Sequence, residues 1–171
     1  ELAAFEAGQG DYLLHPLDTA APLVAAGRGH LVLDLASLTG AIPWSTYAAQ
    51  PALLKSRGEE LIGFTRAIGT ALRWLNAQPA ADIAGVSRRY FGAYPRHVLV
   101  DIIKRYQELG IWPASSVVER ADLEHFTEML VSTGWLPHFV PYGDQVDETI
   151  AMRAVDPEAW SQSHWLESDD T

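Results

Sequence analysis

The stretch from Gly10 to Leu35, GDYLLHPLDTAAPLVAAGRGHLVLDL, decides how the chain is read. Tyr12, Leu13 and Leu14 form a short apolar run that His15 and Pro16 break, and a short apolar run bounded by turn residues predicts a buried strand. Asp18 or Thr19 can cap a helix over Ala20 to Ala26, and Gly27 and Gly29 mark its end. A second apolar run, Leu31 to Leu35, completes a strand–helix–strand unit. Such a unit predicts a parallel pair joined by a right-handed crossover, hence an α/β fold.

Beyond residue 51 the period changes from short runs to helical spacing. Leu61, Phe64, Ile68, Leu72 and Leu75 recur at steps of three and four, which predicts one amphipathic helix from Glu59 to Gln78, stopped by Pro79. Glu59 and Glu60 suit its positive N-terminal end. Val98, Leu99, Ile102, Ile103, Tyr106 and Leu109 stripe a second helix from Pro95 to Gly110, and Ala80 to Tyr90 reads as a shorter one. Two more are expected over Ala121 to Ser132, with Leu123, Phe126 and Leu130 inward, and over Asp144 to Met152. From Asp156 the pattern fades into an acidic, polar end that predicts a solvated tail.

Composition excludes several function classes. The 171 residues carry 12 Lys+Arg and 22 Asp+Glu, a formal net charge of −10, whereas a nucleic-acid binder needs a basic stripe that displaces counterions. Hydrophobic residues make up 48%, enough for a real core in one domain or part of a larger one. The absence of cysteine removes disulfides, thiolate zinc sites and thiol nucleophiles. No apolar stretch reaches the length of a membrane helix. The chain opens at Glu1 without Met or leader, and the N-terminus is read as a cut, with any export signal removed or lying outside it.

The order of several unusual segments resembles the ABC-transporter substrate-binding proteins of the nitrate/sulfonate/taurine/thiamine-pyrimidine-precursor class. The resemblance rests on FEAGQGDYLLHPLD (Phe5 to Asp18) and GRGHLVLDLASLTGAIPWSTYAA (Gly27 to Ala49), supported by Gly63 to Ile68, ALRWLNAQPA (Ala71 to Ala80), RYQELGIWP (Arg105 to Pro113) and VPYGDQVD (Val140 to Asp147). It implies a periplasmic-binding-protein-like fold of type II, with two α/β lobes that close on a small solute, and it covers the second half of such a protein. By that comparison residues 1–40 end the second lobe, 41–50 form a crossover hinge, 51–155 complete the first lobe in helices, and 156–171 are a tail. The resemblance further implies an extracytoplasmic, periplasmic or lipid-anchored protein that delivers a small organic anion or heteroaromatic precursor to an ABC permease.

Ligands of open α/β sheets sit beyond the strand ends, which points to the turn His15, Pro16, Asp18 and Thr19, where backbone N–H groups at a helix start can hold an anion. Relatives in the class often carry a Phe-Glu-Pro-like turn here; this chain has Leu14, His15 and Pro16. The competing reading is that His15 and Asp18 only satisfy a turn and a cap. The crossover offers Trp44 and Ser45 as an aromatic face and a hydroxyl, against a purely structural hinge. Trp74, Trp112 and Trp135 are read as packing residues.

Enzyme signatures are weak: no phosphate loop, no Gly-x-Ser-x-Gly elbow and no paired acid and base. Asp122 and His125 share a helix face at a metal-site spacing but lack further ligands, and His164 with Glu167, Asp169 and Asp170 lies in the expected tail. Glu119, Glu124 and Glu128 read as a solvated acidic face beside Arg120. Neither a cofactor nor a resident metal is implied. Two rivals stay open. One is a pyrimidine-precursor synthase on the same fold, opposed by the missing cysteine and by helical positions for the only lysines, Lys55 and Lys104. The other is a self-associating ligand-sensing module, a homodimer if the chain is complete.

Overall fold

A computed structural model describes residues 1–155, and among them every regular element is a helix. The helices are α1 (Leu2–Glu6), α2 (Leu17–Ala25), α3 (Ala36–Thr39), α4 (Pro51–Ala77), α5 (Ala80–Ser87), α6 (Arg96–Glu108), α7 (Arg120–Ser132), α8 (Tyr142–Gln145) and α9 (Thr149–Val155). The α/β, periplasmic-binding-protein-like fold expected above is therefore not the fold of these residues. Both apolar runs read as strands are irregular. No backbone hydrogen bond among the described residues involves Tyr12 to Leu14 or Leu31 to Leu33, and most of their side chains face solvent. A strand exists only where a neighbouring backbone satisfies its N–H and C=O groups, and neither run has such a neighbour.

The described chain divides into two compact units. The first joins Glu1–Thr39 to Ala77–Trp112. Its best-packed pair is α5 with α6, and α2 also packs on α6. Ala80, Ile83 and Ala84 of α5, Val98, Leu99, Ile102 and Ile103 of α6, and Leu23 of α2 are buried, so the stripe expected over Val98 to Ile103 is the core of this unit. Pro79 and Pro95 sit at the N-caps of α5 and α6, because a residue without an N–H costs nothing where helix donors are orphaned anyway. Helix α6 stops because Gly110 takes φ +63, a left-handed conformation that closes Gly110 N–H onto Gln107 O (3.1 Å) and Ile111 N–H onto Tyr106 O (3.0 Å). Gly27 ends α2 in the same way, at φ +68.

Polar links fix the irregular part of this unit. Arg105 donates from Nε (3.1 Å) and Nη2 (2.8 Å) to Asp34 Oδ2, and Arg28 pairs with Glu6 at 2.9 Å. Asp34 in turn accepts from Ala36 N–H at 3.1 Å and so starts α3. Both ion pairs are partly solvated, which holds each to a fraction of a kcal/mol, of order 0–1. They fix geometry more than they add stability.

The second unit joins Gly40–Asn76 to the segment that begins at Pro113. Helix α4 consists of two helical segments that meet at a kink at the non-helical Arg57 (φ −133, ψ 29), one residue before Gly58. The long helix expected from Glu59 is therefore its second segment, preceded by an extra turn or two from Pro51. Ile62 and Gly69 are its buried positions; Phe64, expected inward, is largely exposed and meets the Tyr47 ring edge-on at 5.0 Å. The single helix expected over Asp144 to Met152 is instead α8 and α9. Val146 turns extended (φ −126, ψ 120), and Asp147 Oδ1 accepts from Thr149 N–H (2.9 Å) at the start of α9. Tyr142 anchors this end: it is buried, and its hydroxyl donates to Val118 O at 2.7 Å. Residues 156–171, including the expected tail and His164, Glu167, Asp169 and Asp170, lie outside the described residues.

Candidate functional site

The turn singled out by sequence opens α2 in the first unit. Pro16 is the N-cap (φ −55, ψ 149), so the helix begins at Leu17, earlier than expected, with Asp18 inside the first turn. His15 and Pro16 are exposed, and Asp18 and Thr19 are half-buried. The helix-start donors are largely engaged. Thr19 N–H meets Asp18 Oδ1 and Pro16 O, both at 3.0 Å, and Ala20 N–H meets Pro16 O at 3.0 Å.

The Asp18 backbone also hydrogen-bonds Tyr106 of α6. Burial pushes the Tyr106 phenol up from its ordinary value, the Asp18 carboxylate adds to that shift, and the bond with the Asp18 backbone opposes it. Tyr106, read from sequence only as part of an apolar stripe, thus ties α6 to the start of α2. Its ring also meets Trp112 edge-on at 5.8 Å. A carboxylate in the first turn and few spare N–H groups make this end a poor anion cradle and a better seat for a neutral group with donors of its own.

Directly before that turn lies a recess of about 440 Å³, open to solvent and lined by Glu1, Phe5, Gln9, Tyr12 and Leu14 among others. Its size falls in the range of small-molecule sites. It forms because α1 ends in a left-handed Gly8 (φ +76), with Gln9 N–H closing back onto Ala4 O at 2.8 Å. Gly10 (φ +90) then turns the chain again, and Tyr12 to Leu14 follow as the far wall. Phe5 and Tyr12 bring aromatic faces, Gln9 an amide donor and acceptor, and Glu1 an acceptor. Sequence reading missed Phe5, Gln9 and Tyr12 as site residues. The paired glycines eight and ten residues into the chain were the available signal, since glycines flanking an apolar run mark a sharply folded loop.

Trp44 and Ser45 belong to the second unit. Both are exposed, and the Trp44 ring lies 6.2 Å from Phe126, tilted by 58°. Trp112 is half-buried, whereas Trp74 and Trp135, both expected to pack, are exposed, Trp135 to 81%. Among the described residues no cluster of three His, Asp or Glu side chains could hold a metal, and no helix is long and apolar enough to cross a membrane.

Fold and recess together define a helical chain in two units, one of which carries an open, mostly apolar pocket edged by a few polar groups. The chain is similar to "Putative binding protein YtlA" of Bacillus subtilis (strain 168), with 26% identity over 152 residues. That match takes in 89% of this chain and 46% of the relative, so the chain spans about half the length of the curated relative it matches. No family model matches the sequence, and no solved structure matches it.

Proposed function

We propose that this chain is the solute-binding part of an ABC importer and that its solute is a small planar heteroaromatic. The single observation that carries the binding role is the similarity to a relative named as a binding protein. That name also agrees with a non-enzymatic role. The importer, the permease partner and an extracytoplasmic location come from the family resemblance in Phe5 to Asp18 and Gly27 to Ala49. Between an organic anion and a heteroaromatic, the chemistry of the first unit favours the second. Phe5 and Tyr12 can stack on a flat ring, Gln9 can pair with its amide edge, and Glu1 and Asp18 disfavour negative charge. His15 and Thr19 beside the recess are the further contacts assigned in the first unit; Trp44 and Ser45 belong to the second unit and form a separate candidate surface.

A thermal-shift panel of aminopyrimidines, nitrate and taurine tests it. A ligand at one hundred times its dissociation constant stabilises the protein by about 2.7 kcal/mol, a shift of roughly 5–10 °C for a chain of this length. The expected result is such a shift with an aminopyrimidine and none with nitrate or taurine. A shift with the anions alone contradicts the heteroaromatic assignment; no shift with any of the three classes contradicts the assignment as a whole.

A further inference from the structure

The segment SRRYFGAYPRH, Ser87 to His97, joins α5 to α6 and locally reverses the sign of the chain's charge. Between Ile83 and Val100 stand Arg88, Arg89 and Arg96 and no Asp or Glu, in a chain whose formal net charge is −10. Every residue from Arg88 to Ala93 is exposed, as are Arg96 and His97, and Tyr90 reaches 72%. No carboxylate among the described residues pairs with these three arginines. Arg89 lies instead 4.7 Å from the centre of the Tyr90 ring, and Arg96 reaches the Ala81 carbonyl at 3.5 Å.

The loop is held in shape by its own backbone. Tyr90 N–H and Phe91 N–H both donate to Ser87 O, at 2.9 and 3.1 Å, and Tyr94 N–H donates to Phe91 O at 3.1 Å. It is carried by α5 and α6, the best-packed helix pair of the first unit, so its side chains are presented at little further cost in ordering. Local stability accounts for only part of the charge. A cation suits the C-terminal end of a helix, which Arg88 and Arg89 follow, but the N-terminal end of α6 favours acids, and its first turn opens with Arg96 and His97 and contains none.

We propose that this loop docks on an anionic phospholipid surface, with Tyr90 and Phe91 at the level of the headgroups, Arg88 and Arg89 on the phosphates, and Arg96 adding to the local positive field. Charge complementarity selects the surface. The acidic chain as a whole is repelled by an anionic bilayer, so a stretch of opposite sign sets which part approaches it. The residue types select lipid over protein. A guanidinium makes paired hydrogen bonds to phosphate oxygens, and tyrosine rings settle at the boundary between headgroup and hydrocarbon. A standard protein interface takes about 20–30 residues a side, more than this loop offers, whereas a bilayer demands no fixed area. Docking uses none of the recess residues and is independent of the proposed binding role.

Flotation of the 171-residue chain with lipid vesicles, read as a partition coefficient, tests the proposal. The expected result is partition onto vesicles of phosphatidylcholine with one-third phosphatidylglycerol at low salt, and its loss on pure phosphatidylcholine or at high salt. Each arginine near an anionic surface is worth a factor of about five, so Arg88→Gln combined with Arg89→Gln lowers the coefficient about 25-fold. Far-UV circular dichroism stays unchanged, because both side chains are exposed. Tyr90→Ser weakens partition with no change of charge. Arg66→Gln combined with Arg73→Gln makes the same change of charge at exposed positions of α4 in the other unit, and lowers the coefficient no more than ~twofold. No partition of the wild-type chain onto anionic vesicles, equal partition onto both kinds of vesicle, or equal losses in the two double variants overturns the proposal. Binding to soluble polyglutamate without partition onto vesicles overturns it in favour of an acidic protein partner.

Discussion

Replacing Ile83 by alanine lowers the free energy of unfolding by about 3 kcal/mol, the middle of the range for truncating a buried isoleucine. Ile83 is 2% exposed and sits on α5 against α6, the most extensive helix contact of the first unit. The change removes three carbons from water-free packing and leaves a cavity that two helices, each held by its own backbone bonds, cannot fully close. Alanine's better helix propensity returns a few tenths of a kcal/mol, too little to alter the sign. Val86 lies on the same helix but faces solvent, and Val86→Ala changes stability by no more than ~0.5 kcal/mol. Urea unfolding midpoints at unchanged slope measure both. Equal effects at the two positions would show that α5 does not pack as described.

Tyr142 carries the largest expected effect in the second unit. The ring is 2% exposed, lies 4.2 Å below the Arg120 guanidinium, and its hydroxyl donates to Val118 O at 2.7 Å, with Glu148 Oε2 at 3.3 Å. Tyr142→Ala loses ring burial and bond together, about 3–5 kcal/mol. Tyr142→Phe keeps the ring and its cation contact but leaves the Val118 carbonyl without this donor, about 1–2 kcal/mol.

The same geometry sets a pH dependence. Burial first, then the Glu148 charge and its hydrogen bond, push the Tyr142 phenol above its ordinary value of 10.0, against a smaller opposing pull from Arg120. The folded state therefore holds the neutral phenol more tightly than the unfolded chain does. That stability is complete below pH ~10 and is lost as pH rises through the raised folded value. Wild type loses stability over this alkaline window, and Tyr142→Phe flattens the loss. An identical alkaline profile in the variant, by denaturant unfolding at a series of pH values, would remove Tyr142 from the account.

Helix interiors were legible in the sequence because their signal is local. The spacing of Val98, Leu99, Ile102 and Ile103 puts four side chains on one face of α6, and all four are buried. Pro79 and Gly110 marked boundaries through covalent geometry that no neighbour alters: one has no N–H, the other tolerates positive φ. The runs at Tyr12 and Leu31 failed as strands because pairing is not a local property. An apolar run states that a segment gains by burial, but whether a partner backbone lies beside it depends on residues far away in sequence. Trp135 failed for a related reason, since ring size says how much a residue gains from cover and nothing about where cover is.

The site was legible in place more than in chemistry. The turn His15 to Thr19 does start a helix, as its Pro and Asp suggest. Its donors, however, are taken up by Asp18, Pro16 O and the distant Tyr106, and no local pattern shows that. The recess depends on how α1 and the Gly8 and Gly10 turns fold back beside Tyr12, so Phe5, Gln9 and Tyr12 meet only in three dimensions.

The most direct test of solute binding is a titration of nitrogen-labelled protein with an aminopyrimidine, followed residue by residue through amide chemical shifts. The account predicts saturable shifts concentrated at Phe5, Gln9, Tyr12, Leu14 and His15, and their loss in Tyr12→Ala. Shifts centred elsewhere in the chain, or none at saturating ligand, contradict it.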